Sequence, residues 1–148
     1  MTSVSWAPFA PALRLAVGCC DGSVRVFTAP APGAKWAQAV VGRHGDWVRS
    51  VAGAPAPAEA AADAIASCAQ DCSVAVWKAA KGAGQWERTA VGEGKFPEGA
   101  WTVAWSECGT TLAVTAEDGN VSLWKESFEN NGWNCIESFG ESTTTTTN

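Results

Sequence analysis

The sequence predicts an all-β protein in which one four-stranded unit is written three times. Three observations carry that expectation. First, "LAVGCCDGSVRVF" (15–27), "IASCAQDCSVAVW" (65–77) and "LAVTAEDGNVSLW" (112–124) each alternate apolar and polar residues into a turn and out again, as a β-hairpin does. Second, the turn acids Asp21, Asp71 and Asp118 stand 50 and 47 residues apart and share a register. Six residues after each comes an aromatic (Phe27, Trp77, Trp124), and fifteen after each comes a tryptophan (Trp36, Trp86, Trp133). Third, the chain has nine Trp and no Tyr, a bias that a repeat reusing Trp at fixed positions explains.

The other elements follow in order. Ahead of each hairpin lies a short alternating strand: "SVSWAP" (3–8), "WVRSVAGAP" (47–55) and "WTVAWSE" (101–107). The Trp at the fifteenth position opens a fourth strand, as "WAQAVV", "WERTAV" and "WNCIES". The units therefore run over 3–41, 44–91 and 98–138. Gly22 and Gly119 suit the positive φ of a tight turn, whereas the middle unit places Cys72 there, where an L side chain is disfavoured. The connections "APAPGAK", "APAPAEAAADA", "AAKGAG" and "GEGKFPEG" are rich in Ala, Pro and Gly and read as surface loops. The stretch "AEAAADA" (58–64) is short and follows two prolines, so it is read as loop. Residues 139–148, with five consecutive threonines and no apolar face, read as a disordered tail. Four strands in about 50 residues, repeated, is the signature of a β-propeller blade. One blade cannot bury both of its faces; stacked blades cover one another and share a core.

Bulk properties narrow the function. The net charge is −5 with no basic run, which excludes a binder of nucleic-acid backbone. No apolar run reaches the roughly 20 residues of a membrane span, and no leader pattern opens the chain. Six cysteines occur without a C-x-x-C pair and with one histidine, so they read as reduced thiols of a cytoplasmic protein. No cofactor or metal is expected. "GAG" (82–84) and "GEG" (92–94) lack the Lys-Ser/Thr context of a phosphate cradle. Trp6, Trp47, Trp101 and Trp105 lie on apolar alternation and are expected to pack in the core.

His44, the lone histidine, is the one residue that invites a catalytic reading. It would be a base, with Ser67 or Ser50 as nucleophile and Asp71 or Asp46 to orient it. The rival reading is structural and follows the pattern of a WD-type blade. There a loop histidine, a second-strand serine, a turn aspartate and a third-strand tryptophan form one hydrogen-bonded cluster; here they are His44, Ser67, Asp71 and Trp77. The expectation is that His44 reaches Ser67 and the Asp71 turn, and that Ser67 accepts from the Trp77 indole. Val17 and Val114 stand at the Ser67 position in the outer units, so Asp21 and Asp118 are expected to bond local amides. Nothing supplies an oxyanion hole, and no enzyme is expected.

"HGDWVRSVA", "IASCAQD…VAVW", "AWTVAWS" and "LAVTAEDGNVSLWKES" with the following Trp133 resemble the C-terminal half of the Sec-thirteen family over residues 3–138. These are small WD-repeat proteins shared by coat protein complex II (COPII) and the nuclear pore outer ring. The resemblance implies half of a six-bladed open propeller, starting at the fourth blade. It implies a scaffold of COPII vesicles in ER-to-Golgi transport and of the nuclear pore. Its partners would be a long coat subunit that donates a blade beside the last one, a pore scaffold subunit, and the chain's own missing N-terminal half. It would be cytoplasmic, peripheral on the endoplasmic reticulum and its vesicles and at the nuclear envelope, touching membrane only through the coat. A fragment or truncated gene product is the first expectation, a half-protein that pairs with another chain the second. The alternative function is a generic WD adaptor that presents peptides or substrates in another complex, such as one of nutrient signalling. Two departures from the family stand out: Gly53 replaces the Trp of a "WAP" motif, and Cys72 replaces the turn glycine.

Overall fold

The computed structural model describes residues 1–7, 12–55, 62–80, 84–93 and 96–140. Of the loop expected at 58–64, residues 58–61 lie outside the described residues. Residues 62–64 are not loop but open the strand Ala62–Ala69, where Ala62, Asp63 and Ala64 pair with Ala80, Ala79 and Lys78. Of the tail expected at 139–148, residues 141–148 lie outside the described residues, and Phe139 ends the last strand, paired with Val121. Twelve strands and no helix occur among the described residues. The first sheet holds β1 (Ser3–Ala7), β2 (Leu13–Gly18), β3 (Ser23–Ala29) and β4 (Ala37–Arg43), and the second β5 (Val48–Gly53), β6 (Ala62–Ala69), β7 (Val74–Ala80) and β8 (Glu87–Val91). The third holds β9 (Ala100–Trp105), β10 (Thr111–Ala116), β11 (Val121–Ser127) and β12 (Gly132–Phe139). Each sheet is an antiparallel meander in chain order. The all-β fold of three four-stranded antiparallel blades stands.

The period-two alternation decides which residues each sheet gives to its neighbours. In the second sheet Ile65, Ala75 and Trp77 pack on the first sheet, against Ala16, Val24 and Val26. From the opposite face, Ala66, Val74 and Val76 pack on the third sheet, against Leu112, Val114 and Trp124. Counted from the turn acids, the two joints are the same joint. Positions −5, +3 and +5 of one sheet meet positions −6 and +6 of the next. The rule leaves two faces uncovered: Leu15 and Phe27 on the first sheet, and Ala113, Val121 and Leu123 on the third.

A second recurrence, at position +21, sharpens the joint. Gly42 and Gly92 both stand there, and a Cβ at either would fall inside contact distance of the outer indole carbons of Trp77 and Trp124, respectively. Each glycine is thus the slot for the next sheet's tryptophan. At the third occurrence stands Phe139, which pairs with Val121 as Gly42 pairs with Val24. Ion pairs cross the joints as well, Arg14 to the buried Asp63 and Lys78 to Glu126.

The strands β1, β5 and β9 lie side by side. The Ser3 hydroxyl oxygen accepts from the Val51 amide at 3.2 Å, and Ser5 from the Gly53 amide at 3.3 Å. A Cβ on Gly53 would sit 2.8 Å from the Ala7 Cα and 2.9 Å from the Trp6 carbonyl oxygen. The glycine that departs from the family pattern therefore lets two backbones close up. Trp105, at the corresponding place in the third sheet, donates to the Ala52 carbonyl at 3.1 Å and meets Trp133 edge-on at 5.7 Å. The expectation of core packing holds for Trp105 only. Trp6, Trp47 and Trp101 are exposed: Trp6 lies on the uncovered face of the first sheet, and Trp101 carries the Arg49 guanidinium 4.2 Å above its ring.

Filling the slot should be costly, because overpacking a tight contact typically costs about 1–3 kcal/mol. Gly42→Ala is expected to lower the unfolding free energy from urea titration by that much. In a Trp77→Phe background, which removes the outer indole carbons, the same change should cost clearly less. Equal costs in the two backgrounds would reject the slot.

Candidate functional site

His44 sits in the connection between β4 and β5, and its amide donates to the Gly22 carbonyl at 2.8 Å, which ties the connection to the first hairpin turn. Across the joint, the turn between β6 and β7 closes with Cys72 donating its amide to Ala69 at 3.2 Å. Cys72 takes a φ of 65°, the left-handed conformation that glycine adopts at positions 22 and 119. That turn presents Asp71 and Ser73 to the histidine.

The hydrogen bonds form a directed chain. Trp77 Nε1 donates to Ser67 Oγ at 2.7 Å, and Ser67 Oγ lies 2.7 Å from His44 Nε2. His44 Nδ1 lies 2.6 Å from Ser73 Oγ, which donates to Asp71 Oδ1 at 2.6 Å. An ionised carboxylate only accepts, so the Ser73 proton goes to Asp71 and Nδ1 must bring its own to Ser73. Nε2 is then free to accept the Ser67 hydroxyl proton. Every group is satisfied by a neutral ring with its proton on Nδ1. Protonating Nε2 would leave the Ser67 proton without an acceptor.

The electrostatics agree. Burial pushes the His44 ring down to about 4; the Asp71 charge opposes this and Arg88 adds to it. For Asp71, burial works upward, but the Ser73 hydroxyl and the Gly45 and Ser73 amides outweigh it and hold the carboxyl below its usual range. His44 is 8% exposed and Ser67 0%. The Ser67 oxygen is enclosed between an indole and an imidazole, so no substrate carbonyl has a route to it. The other candidates of the catalytic reading are engaged elsewhere: Ser50 Oγ accepts the Val103 amide at 3.4 Å, and Asp46 Oδ1 the Trp47 amide at 2.7 Å.

The structure thus brings His44, Ser67 and Trp77 into direct contact. Asp71 stands one residue further off, 3.8 Å from Nδ1, and is joined through Ser73. Sequence reasoning missed Ser73, although the signal was present: position +2 is Ser23, Ser73 and Asn120 in the three units, the amide donor of an Asx turn. In the outer sheets the turn acids work locally. Asp21 accepts the Ser23 amide at 2.9 Å and Arg25 at 2.9 Å, and the Ser23 hydroxyl and amide with Arg25 draw its carboxyl down to about 2. Asp118 accepts the Asn120 amide at 3.0 Å. The third sheet still satisfies its indole: Trp124 Nε1 donates to Ser122 Oγ at 2.8 Å, two residues back along the same strand. Ser122 was also missed. The first sheet has Phe27, with no N–H to satisfy. Among the described residues no cluster of His, Cys, Asp and Glu is placed to hold a metal ion.

Residues 90–125 match the family model described as WD domain, G-beta repeat. With the three meandering sheets and their repeated joint, that match makes the chain a set of WD-repeat propeller blades. It is 37% identical over 134 residues to the protein transport protein sec13 of Schizosaccharomyces pombe, covering 90% of this chain and 44% of that protein. SEC13 homolog A of Arabidopsis thaliana is 37% identical over 122 residues (80% and 39%), and the SEC13 homolog of Drosophila melanogaster 36% over 117 (78% and 32%). The chain spans less than half the length of each of these relatives. It is a sequence of the Sec-thirteen family.

The neutral ring has a pH signature. Its folded pKa lies below the ordinary 6.5, so between pH 6.5 and 4 the unfolded chain binds more protons. Stability contributed by His44 is complete above pH 6.5 and falls as the pH drops toward 4, by at most about 3 kcal/mol. Denaturant melts across that range should show the slope in the native chain and lose it in His44→Gln. At pH 7.5, His44→Ala should cost about 1–3 kcal/mol, because it strands buried polar partners. A His44→Gln chain with an unchanged slope would refute the buried-ring assignment.

Proposed function

We propose that the chain is a non-enzymatic scaffold element of protein transport, acting through propeller contacts in a COPII-type coat on the endoplasmic reticulum. The identity of 36–37% to SEC13 proteins over 78–90% of the chain carries this reading. The fold is consistent with it: the polar cluster is sealed in the core, whereas apolar sheet faces stay uncovered at both ends. In this reading the first sheet abuts the blades that precede it in the longer relatives. The third sheet faces a blade donated by a long coat subunit. The pore scaffold role and its nuclear-envelope location belong to the same proposal, since one family serves both assemblies.

The test is a chimera. The N-terminal blades of the fission-yeast relative, joined ahead of residue 3 of this chain, should give a soluble protein that replaces the relative in cells and co-purifies with its blade-donating coat partner. A chimera that folds but recovers no coat subunit overturns the transport reading. Capturing only a short linear peptide through the loop face would favour the adaptor instead.

A further inference from the structure

We propose that a cavity between the second and third sheets binds α,β-unsaturated carbonyl compounds with an apolar tail, and that Cys108 at its rim captures them as thioethers. Both walls of the cavity belong to one joint, so neither uncovered sheet face takes part. The site is independent of the transport reading.

The cavity measures about 480 Å³, within the range of small-molecule sites. Ala54, Pro55 and Ala64 line it from the second sheet, and Trp105 and Trp133 from the third. One polar group in these walls stands apart. Lys78 and Glu126 hold each other across the joint, and Trp105 Nε1 donates to the Ala52 carbonyl. Trp133 is 8% exposed, and its Nε1 has no acceptor among the described residues. A buried N–H finds an acceptor almost without exception, and the space beside this indole is the cavity. The molecule that fits is therefore mostly apolar and carries a hydrogen-bond acceptor.

The rim supplies a nucleophile. Between β9 and β10 the chain turns through residues 106–110, and the Gly109 amide closes the turn on the Ser106 carbonyl at 2.9 Å. A Cβ on Gly109 would collide with the Pro55 carbonyl oxygen, so the turn presses on the second sheet and holds Cys108 beside the cavity. Cys108 Sγ lies 3.3 Å from Ser106 Oγ and 3.0 Å from Thr110 Oγ1. A thiolate has no proton to give, so both hydroxyls donate to it. Ser106 Oγ accepts the Thr111 amide at 3.1 Å, which leaves its own proton for the sulfur. These bonds, Ser106 first and then Thr110, draw the exposed thiol down to about 7. Thiolate fraction and nucleophilicity are then well matched near neutral pH. Cys68 is the contrast, buried and pushed up to about 12 by that burial. Among the described residues no other cysteine lines the cavity.

A conjugated carbonyl answers both groups at once. Its oxygen would accept from the Trp133 N–H while its tail lies on the apolar walls and its β-carbon meets the sulfur. A sulfur lone pair forms the S–C bond to the β-carbon, and the C=C π pair shifts toward the oxygen to give an enolate. The α-carbon then takes up the proton that the thiol gave to water. Thiol and unsaturated carbonyl thus add to a single thioether, with no oxidant and no leaving group.

The test treats the full chain with trans-2-nonenal, or with acrolein, the same electrophile without a tail, and follows each cysteine by peptide mass spectrometry. Relative to acrolein, nonenal should favour Cys108 over the exposed Cys20 and Cys135 by about tenfold or more, the worth of roughly two buried methylenes. Ala64→Leu, which takes up cavity space, should erase that tail preference and spare the acrolein reaction. Trp133→Phe keeps a ring but removes the N–H, and should slow nonenal capture at Cys108 by about two- to tenfold. Circular dichroism and a retained cooperative melt check that each variant folds, with Ala62→Leu as the substitute should Ala64→Leu unfold the chain. Equal selectivity for the two aldehydes makes Cys108 no more than an exposed thiol and overturns the proposal. So does a tail preference that survives the filled cavity, or capture indifferent to the loss of the Trp133 N–H, which would leave that group to water. Neither outcome decides the chimera test, so the two readings fail separately.

Discussion

The structure depends on an indole laid over a glycine. A four-stranded sheet of about 50 residues has two apolar faces and too little surface to bury either against itself, so it is stable only when something covers both. Here the cover is the next copy of the same unit. Because the faces of a strand alternate, one register of apolar residues serves both neighbours: odd offsets from the turn acid look one way and even offsets the other. Trp77 and Trp124 are buried in the cores of their joints, and Gly42 and Gly92 let them approach. Gly42 gains nothing from conformational freedom, being an ordinary strand residue of β4; it is there because nothing else is small enough. Gly92, just past β8, has a φ of 58° and so meets both demands, size and a left-handed backbone.

The fold was legible because the repeat imposes its spacing on residues that do different jobs. Turn aspartates, aromatic wedges and fourth-strand tryptophans recur at constant offsets, so each occurrence supports the others. What escaped reading is instructive in the same terms. Gly42 and Gly92 recur at +21, but a glycine between strands reads as a turn signal unless the residue it faces in the next sheet is known. Trp47 and Trp101 sit on strand-like alternation, yet an inner strand at the start of a blade presents them outward, and alternation alone does not say which face is covered. Gly53 stood out only as a departure from the family motif; its reason, the backbone of β1 within 3 Å of where a Cβ would be, is a tertiary one.

Of the candidate site, the residue types were legible and the wiring was not. His44, Ser67, Asp71 and Trp77 could be named from their positions on a blade. The link between His44 and Asp71 could not, because it depends on how the Asx turn rotates the Ser73 hydroxyl between them. Ser73 does two things at once: its amide closes the turn on Asp71, and its hydroxyl relays the carboxylate to the imidazole. Residues with local and distant duties are hard to assign from sequence, since the local duty already explains their presence.

The polar chain is found in the one sheet that is covered on both sides, and there is a physical reason for that placement. Buried apolar faces that are alike at both joints would allow a sheet to slide by two residues without changing its hydrophobic pattern. A fully satisfied chain from Trp77 to Asp71 permits no slide, because moving any link strands a buried donor or acceptor. In the third sheet the same anchoring is weaker, with Trp124 bonded only to Ser122 of its own strand. In the first sheet Phe27 makes no such bond at all. Register is thus fixed most firmly at the centre and least at the two ends.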